Sequence, residues 1–311
     1  MNMRVLLTGG TGFIGSALIP YLLTQGLSIS ALGRQAVSLL GVENILVEQL
    51  IPGQIEAVLS NRSFDVIIHL AAAGVNPKDR DSANLINVNT ILPEFLVRYA
   101  ARCGAKAVLI TGSSSEYSVT AEQEKLTEQA AIETGKLYGA SKAAGGILAL
   151  AQGAASNVSV AVLRLFNVYG YGEASHRLST SLVSNLITGK RVSLSPGKQI
   201  RDFVYIEDVC NGLWQTTQAL LADRLSTGAY NLATGIGTSI RDFACLLASC
   251  LGESEKLLDF GAIPIRADDL PYVVGDNTQL KKLINWQPTW TLEAGLRDML
   301  AKSSAIVGIK G

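Results

Sequence analysis

The sequence has no net charge, few metal-ligating side chains and no apolar run long enough to span a membrane. Lysine plus arginine and aspartate plus glutamate number 26 each, with no basic tract. Nothing electrostatic therefore favours nucleic acid or an anionic membrane surface. The two histidines, His69 and His176, and the four cysteines, Cys103, Cys210, Cys245 and Cys250, are scattered without a CxxC pair. That pattern argues against a metal site and for reduced core thiols in a cytoplasmic protein. Signal-peptide patterning, internal repeats and low-complexity segments are also lacking.

What is present is apolar and alternating. Of the 311 residues, 48% are hydrophobic, enough for a substantial core. Short runs rich in branched residues recur at Val5–Thr8, Leu27–Leu32, Ile45–Val47, Val66–Leu70, Ala107–Thr111 and Val158–Leu165. Helical spacing lies between them at Gly12–Gln25, Ser82–Cys103 and Tyr138–Gln152. Continuous apolar strands alternating with helices predict βαβ units and a parallel sheet covered on both faces. Beyond Arg164 the strands shorten and Gly, Ser and Pro become frequent, with helices expected at Leu178–Thr188, Ile206–Leu221, Ser239–Leu251 and Leu292–Ala301. The expected architecture is a Rossmann-like, doubly wound α/β domain over residues 1–165 and a smaller α+β substrate domain over 166–311. Later segments are expected to cross back to the first domain.

The stretch "LLTGGTGFIG" places Gly9, Gly12 and Gly15 directly after the first strand. Gly9 suits a tight turn, Gly12 lets a pyrophosphate approach the main chain, and Gly15 permits close helix–strand packing. With Thr11, Phe13 and Ile14 they form a cradle whose helix N-terminus offers free N–H groups to phosphate. The second strand ends in "SALGRQ", with Arg34 where NAD-preferring folds usually carry an acid. A guanidinium there would pair with the extra phosphate of NADP, so NADP(H) is the expected cofactor and NAD(H) the alternative.

In "YGASK", Tyr138 and Lys142 stand four apart and share one helix face. A free phenol titrates near pH ~10. An adjacent ammonium and a nicotinamide positive charge would favour its ionised form, making Tyr138 a proton-exchange group and Lys142 its tuner and a ribose ligand. The strand end "IIHLAAAG" is small enough at Leu70, Ala71 and Ala72 for the backbone to approach a cofactor, with His69 read as a packed strand residue. Asn89 in "NVNT" would brace the neighbouring helix and strand.

The GxxGxxG spacing, the HxAA-like segment, the helix asparagine and YxxxK together resemble the extended short-chain dehydrogenase/reductase family of nucleotide-sugar epimerases, dehydratases and reductases. The resemblance matches "ITGSSSEYS" to that family's SSxxVYG-like block, anchored on Tyr117. It thereby implies Ser113 as the catalytic hydroxyl, with Ser114 and Ser115 as runners-up and Thr111 beside the cofactor. The acid that many members carry near the adenine is replaced by Leu50. The family's 4,6-dehydratases place acids where this chain has Ser114 and Ser115, and Glu116 comes one residue later, so dehydration is disfavoured. "GSSSEY" looks more like 4-keto-6-deoxy-sugar reductases, such as those making abequose. In "LRLFNVYGYG", Phe166 is implied at the nicotinamide and Asn167 at the substrate. Arg201 in "GKQIRDFVYIEDV" and Arg266 in "IRADDLP" match the family's diphosphate-binding blocks. Asp202 and Asp208 are read as structural, one pairing with a basic group and the other acting as a helix N-terminal acid. "INWQPTWTLEAGL" extends the likeness to nearly the whole chain. The resemblance implies a homodimer through the helices Ser82–Cys103 and Tyr138–Gln152, acting on a nucleotide sugar. The expected reaction is NADPH-dependent reduction of a C4 ketone; the alternatives are a 4-epimerase holding NAD and a non-catalytic dinucleotide sensor.

Overall fold

A computed structural model describes residues 2–76, 79–118, 123–266 and 269–307, the last four of these as main chain only. The first half supplies strands β1 (Arg4–Thr8), β2 (Ser28–Gly33), β3 (Val42–Leu46), β4 (Val66–His69), β5 (Ala107–Ser113) and β6 (Ser159–Leu165). Helices α1 (Phe13–Thr24), α2 (Pro52–Leu59), α3 (Ser82–Leu85), α4 (Leu92–Cys103) and α5 (Leu137–Ser156) connect them. The second half adds β7 (Asn167–Tyr169), β8 (Val192–Leu194), β9 (Ile200–Tyr205), β10 (Gly228–Leu232), β11 (Gly237–Ser239), β12 (Leu258–Phe260) and β13 (Tyr272–Val273). Its helices are α6 (Leu178–Leu186), α7 (Ile206–Leu221), α8 (Ile240–Leu251), α9 (Thr278–Ile284) and α10 (Leu292–Val307).

Seven strands form one parallel sheet in the order β10-β6-β5-β4-β1-β2-β3. The order reverses between β1 and β4, which opens a crevice at their carboxyl ends, the usual ligand position in such sheets. The central strands are apolar on both faces because helices cover both; Val5, Leu6, Leu7, Val66, Ile67 and Ile68 are all fully buried. The main chain returns to this sheet late: β10 pairs with β6, and α7 packs against α1, β5 and β6. A smaller sheet of β11, β9 and β13, with β7 also on β9, and a β8–β12 pair build the other side of the crevice.

Three local features differ from the expected elements. The segment Ser82–Cys103 is not one uniform α-helix: Ile86–Ile91 widens to π geometry between α3 and α4. Asn89 lies in that turn, and its main-chain oxygen lies against Gly145, where a Cβ would be only 1.9 Å away. Helices α2 and α9 arise from segments too short to show a clear period. Asp202 does not pair with a base. Its carboxylate accepts from the Thr234 amide and hydroxyl and from the Gly235 and Gly275 amides, tying β9 to the loops beside it. Asp208 lies in the first turn of α7 and accepts from the Thr289 amide and hydroxyl and the Trp290 amide. Among the described residues no helix is long and apolar enough to cross a membrane.

Candidate active site

The glycine turn forms one wall of the crevice. Gly9 has φ +77°, and a Cβ there would lie 2.6 Å from the Ala71 amide nitrogen at the end of β4. A Cβ on Gly15 would lie 2.2 Å from the Gly9 carbonyl oxygen, so α1 sits as close to β1 as main-chain atoms allow. Helix α1 begins after Gly12 with no side-chain cap and no acid in its first turn. Its amides are thus free for an anion, and the cradle fits a dinucleotide diphosphate. Thr11 and Gly12 are exposed at the turn, and Phe13 and Ile14 are half-buried behind it.

The β4 end forms the next wall. Thr8 Oγ1 meets His69 Nδ1 at 2.8 Å and accepts from the Ala71 amide at 3.3 Å. Asn89 accepts from the Ala73 amide at 2.9 Å and donates to the Ala73 carbonyl and Ser141 Oγ, each at 3.1 Å. It therefore pins the loop after β4 to α5. His69 is fully buried, and burial together with the nearby Lys142 ammonium pushes its imidazole down to about 3.

The third wall carries the groups expected from the sequence to react. After β5 the chain closes a single 3₁₀ turn at Ser114–Glu116. Ser113 caps it, accepting from the Ser115 amide at 3.1 Å, and its side chain is near enough to the Tyr138 phenol to favour the ionised form. Ser114 is half-buried and Ser115 exposed; the Ser115 carbonyl abuts Gly139, where a Cβ would be 2.0 Å away. That contact seats the turn on the first residues of α5. Lys142, one helical turn beyond Tyr138, is buried and donates to the Thr111 carbonyl at 2.5 Å. Ser113, Tyr138 and Lys142 thus converge on one side of the crevice.

Burial pushes the Tyr138 phenol above its ordinary value; the Ser113 side chain opposes this, Glu116 adds to it, and the Arg177 and Arg80 guanidiniums oppose it. Burial pulls the Lys142 ammonium down, and Glu116 acts against that. Arg80 stands over the Tyr138 ring, 5.6 Å from its centroid, a neighbour that sequence reading missed. Glu116 is also turned away from the crevice, into a buried ion pair with Arg164 at 2.8 Å. A signal for that pair was present: a lone arginine within the apolar strand "VAVLRLF" must find a partner once buried.

The remaining expected site residues are spread around these walls. Arg34 is exposed just past β2, and no carboxylate among the described residues forms an ion pair with it. Leu50 and Leu70 are half-buried against the core. Phe166 is 5% exposed and packs in the core on Tyr117, with ring centroids 6.5 Å apart. Asn167 is half-buried on β7. Arg201 and Arg266 come together only loosely. Arg201 is bound to Asp269 at 2.5 Å, while exposed Arg266 lines a cleft of about 350 Å³ with His176, Ser193, Gln199 and Asp269. Of those lining residues, only Arg266 was expected from the sequence.

Comparison with known proteins fits this geometry. Residues 5–233 match the model of the NAD dependent epimerase/dehydratase family. CDP-abequose synthase of Salmonella typhimurium is 26% identical, over 96% of this chain and 97% of its own. The dTDP-6-deoxy-L-talose 4-dehydrogenase (NAD(P)(+)) of Kitasatospora kifunensis is 27% identical, over 98% and 97%. Among solved structures, Thermus thermophilus UDP-glucose 4-epimerase in complex with NAD superposes with a TM-score of 0.83 at 26% identity, covering 96% of this chain and 98% of that one.

The environment of His69 makes a direct prediction. With its folded value depressed to about 3, the imidazole stays neutral throughout the physiological range. Nitrogen-15 NMR of the two histidines should show His69 without an inflection from about pH 5 to 9; a midpoint near the ordinary histidine value would contradict the buried assignment.

Proposed function

This chain belongs to the NAD dependent epimerase/dehydratase family, and from that premise we propose that it reduces the C4 ketone of a nucleotide-linked 4-keto-6-deoxyhexose with NADPH. The observation that carries the reading is the convergence of Ser113, Tyr138 and Lys142 on the crevice, with Glu116 withdrawn into its pair with Arg164. Reductive chemistry needs that hydroxyl, phenol and ammonium; elimination of water needs in addition a free acid in the turn, and Glu116 is not free.

When bound, the dinucleotide supplies the hydride. The free amides at the start of α1 would hold its diphosphate, the Lys142 ammonium its nicotinamide ribose, and Arg34 its extra phosphate. Ser113 donates to the sugar O4, at the point where negative charge grows on that oxygen. Tyr138 then delivers the proton that completes the alcohol. A phenol pushed up by burial rests in its protonated form, which is the form this direction requires. Arg266, Arg201 and Asn167 are assigned to the nucleotide-sugar side of the crevice.

The relatives support the substrate class, since their names carry CDP- and dTDP-linked deoxysugars and a C4 oxidoreduction. Presented with a panel of CDP-, dTDP-, GDP- and UDP-linked 4-keto sugars, the protein should consume NADPH with at least one. Tyr138→Phe should lower kcat by about 10² or more. Purification with bound NAD and no net NADPH consumption would instead indicate 4-epimerisation, and near-normal turnover in Tyr138→Phe would remove the phenol from the reaction.

For the cofactor, Arg34→Ala should raise KM for NADPH by about tenfold while leaving NADH unchanged, as expected for loss of one charge-assisted phosphate contact. A wild-type preference for NADH would contradict the role given to Arg34. The proposed assembly is a homodimer through the segment Ser82–Cys103 and the helix over Tyr138–Gln152, along which Ile86, Ile91, Ile147 and Leu148 remain exposed in the single chain. Sedimentation equilibrium should give twice the chain mass, shifting toward the monomer in Ile147→Glu; a monomeric wild type at micromolar concentration would refute it.

A further inference from the structure

Behind the Ser113 hydroxyl lies a buried charge pair that the proton transfer above does not use. Glu116 is fully buried. Its Oε1 accepts from the Ser113 amide at 2.8 Å and its Oε2 accepts from Arg164 Nε at 2.8 Å. Arg164 is held in turn: Nη1 donates to the Tyr117 hydroxyl at 3.0 Å and the Glu128 carbonyl at 3.2 Å, and the guanidinium lies 4.7 Å from the Tyr117 ring centroid. Space for the carboxylate exists because residue 112 is glycine; a Cβ on Gly112 would stand 2.5 Å from Glu116 Oε1.

Closing the 3₁₀ turn does not call for a charge, since a glutamine can complete the same capping box. Burying two charges costs desolvation that an uncharged pair would avoid. The turn is closed from both sides, Glu116 holding the Ser113 amide and Ser113 Oγ accepting from the Ser115 amide. With that lone pair engaged, the hydroxyl keeps its proton for the crevice, where Tyr138 stands.

We propose that Glu116 and Arg164 form a positioning pair for the Ser113–Tyr138 contact: Glu116 sets the Ser113 main chain so that the hydroxyl meets the phenol, and Arg164 offsets the carboxylate's field within the crevice. The proposal rests on the roles given above to Ser113 and Tyr138. The charged groups acting on Tyr138 are Glu116 from the turn, Arg177 from the loop before α6 and Arg80 from the segment before α3, while Lys142, one turn on along the same helix, donates to the Thr111 carbonyl. Removing only the carboxylate leaves Arg164 uncompensated and favours tyrosinate. Removing only the guanidinium leaves Glu116 uncompensated and disfavours it.

The test uses Glu116→Gln, Arg164→Met and the double variant, each shown to be folded by circular dichroism. In a folded Glu116→Ala variant, which leaves the Ser113 amide without its acceptor, kcat should fall about tenfold or more with KM for the sugar nucleotide little changed, as expected for a misplaced reacting group, whereas Glu116→Gln, which still closes the turn, should keep most of kcat. The alkaline limb of kcat should move to lower pH in Glu116→Gln, to higher pH in Arg164→Met, and back toward the wild-type position in the double variant. The same opposed shifts should appear without any substrate, in the phenolate absorbance of each variant minus that of its Tyr138→Phe counterpart. Opposed absorbance shifts in a protein that reduces no sugar would support the pair and overturn the reductase reading alone. Folded variants with unmoved limbs and unmoved absorbance would overturn the positioning proposal. Should Arg164→Met not fold, Arg164→Lys keeps the charge while losing the fork; it should hold the wild-type limb at reduced kcat, and a shifted limb would count against the pair.

Discussion

Main-chain contact distance governs this molecule. The glycine turn meets the β4 end through Gly9, α1 meets β1 through Gly15, the serine turn meets α5 through Gly139, and the π turn meets α5 through Gly145. At each of these four places a single added carbon would fall between 1.9 and 2.6 Å from a backbone atom. Packed interiors accommodate such insertions only by moving whole elements. The crevice, the free amides of α1 and the reach from Ser113 to Tyr138 all depend on those close approaches. Asn89 reinforces them with hydrogen bonds from the π turn to both the β4 loop and α5.

The electrostatics of the site follow from burial and not from a strong local field. Buried His69 is held neutral and so adds no competing charge beside the crevice. Tyr138 is kept protonated by burial, with cations at its ring and a carboxylate behind it acting in opposite senses. Lys142, the cation that sequence spacing singles out as the tuner, here donates to the Thr111 carbonyl, while Arg177 and Arg80 are the cations that act on the phenol. A protonated phenol beside a hydroxyl donor is suited to receiving negative charge on a substrate oxygen, which fits a carbonyl being reduced better than an alcohol being oxidised.

The parts of the fold that were legible in the sequence are those fixed by local pattern. Continuous branched runs mark β1, β4, β5 and β6 because both sheet faces are covered, and Tyr138 and Lys142 share a face because four residues make one helical turn. The parallel sheet and the family follow from that alternation and from the glycine turn. What could not be read depends on partners far apart in the chain. Glu116 and Arg164 are 48 residues apart, Asp202 finds its donors 32, 33 and 73 residues on, and β10 joins β6 only once α7 has crossed the sheet. The π turn was hidden for another reason: nothing local marks its extra residue, and the bonds that Asn89 makes within it, to Ala73 and Ser141, form only in the folded chain.

The chemistry proposed for this crevice comes down to where one hydrogen goes. Turnover with NADPH carrying deuterium at the transferable nicotinamide position, followed by mass and NMR analysis of the sugar, follows that hydrogen directly. One deuterium bonded to C4 of the product is the expected result. An unlabelled sugar, or label at C5 or C6, would contradict hydride delivery to a C4 ketone beside Ser113 and Tyr138.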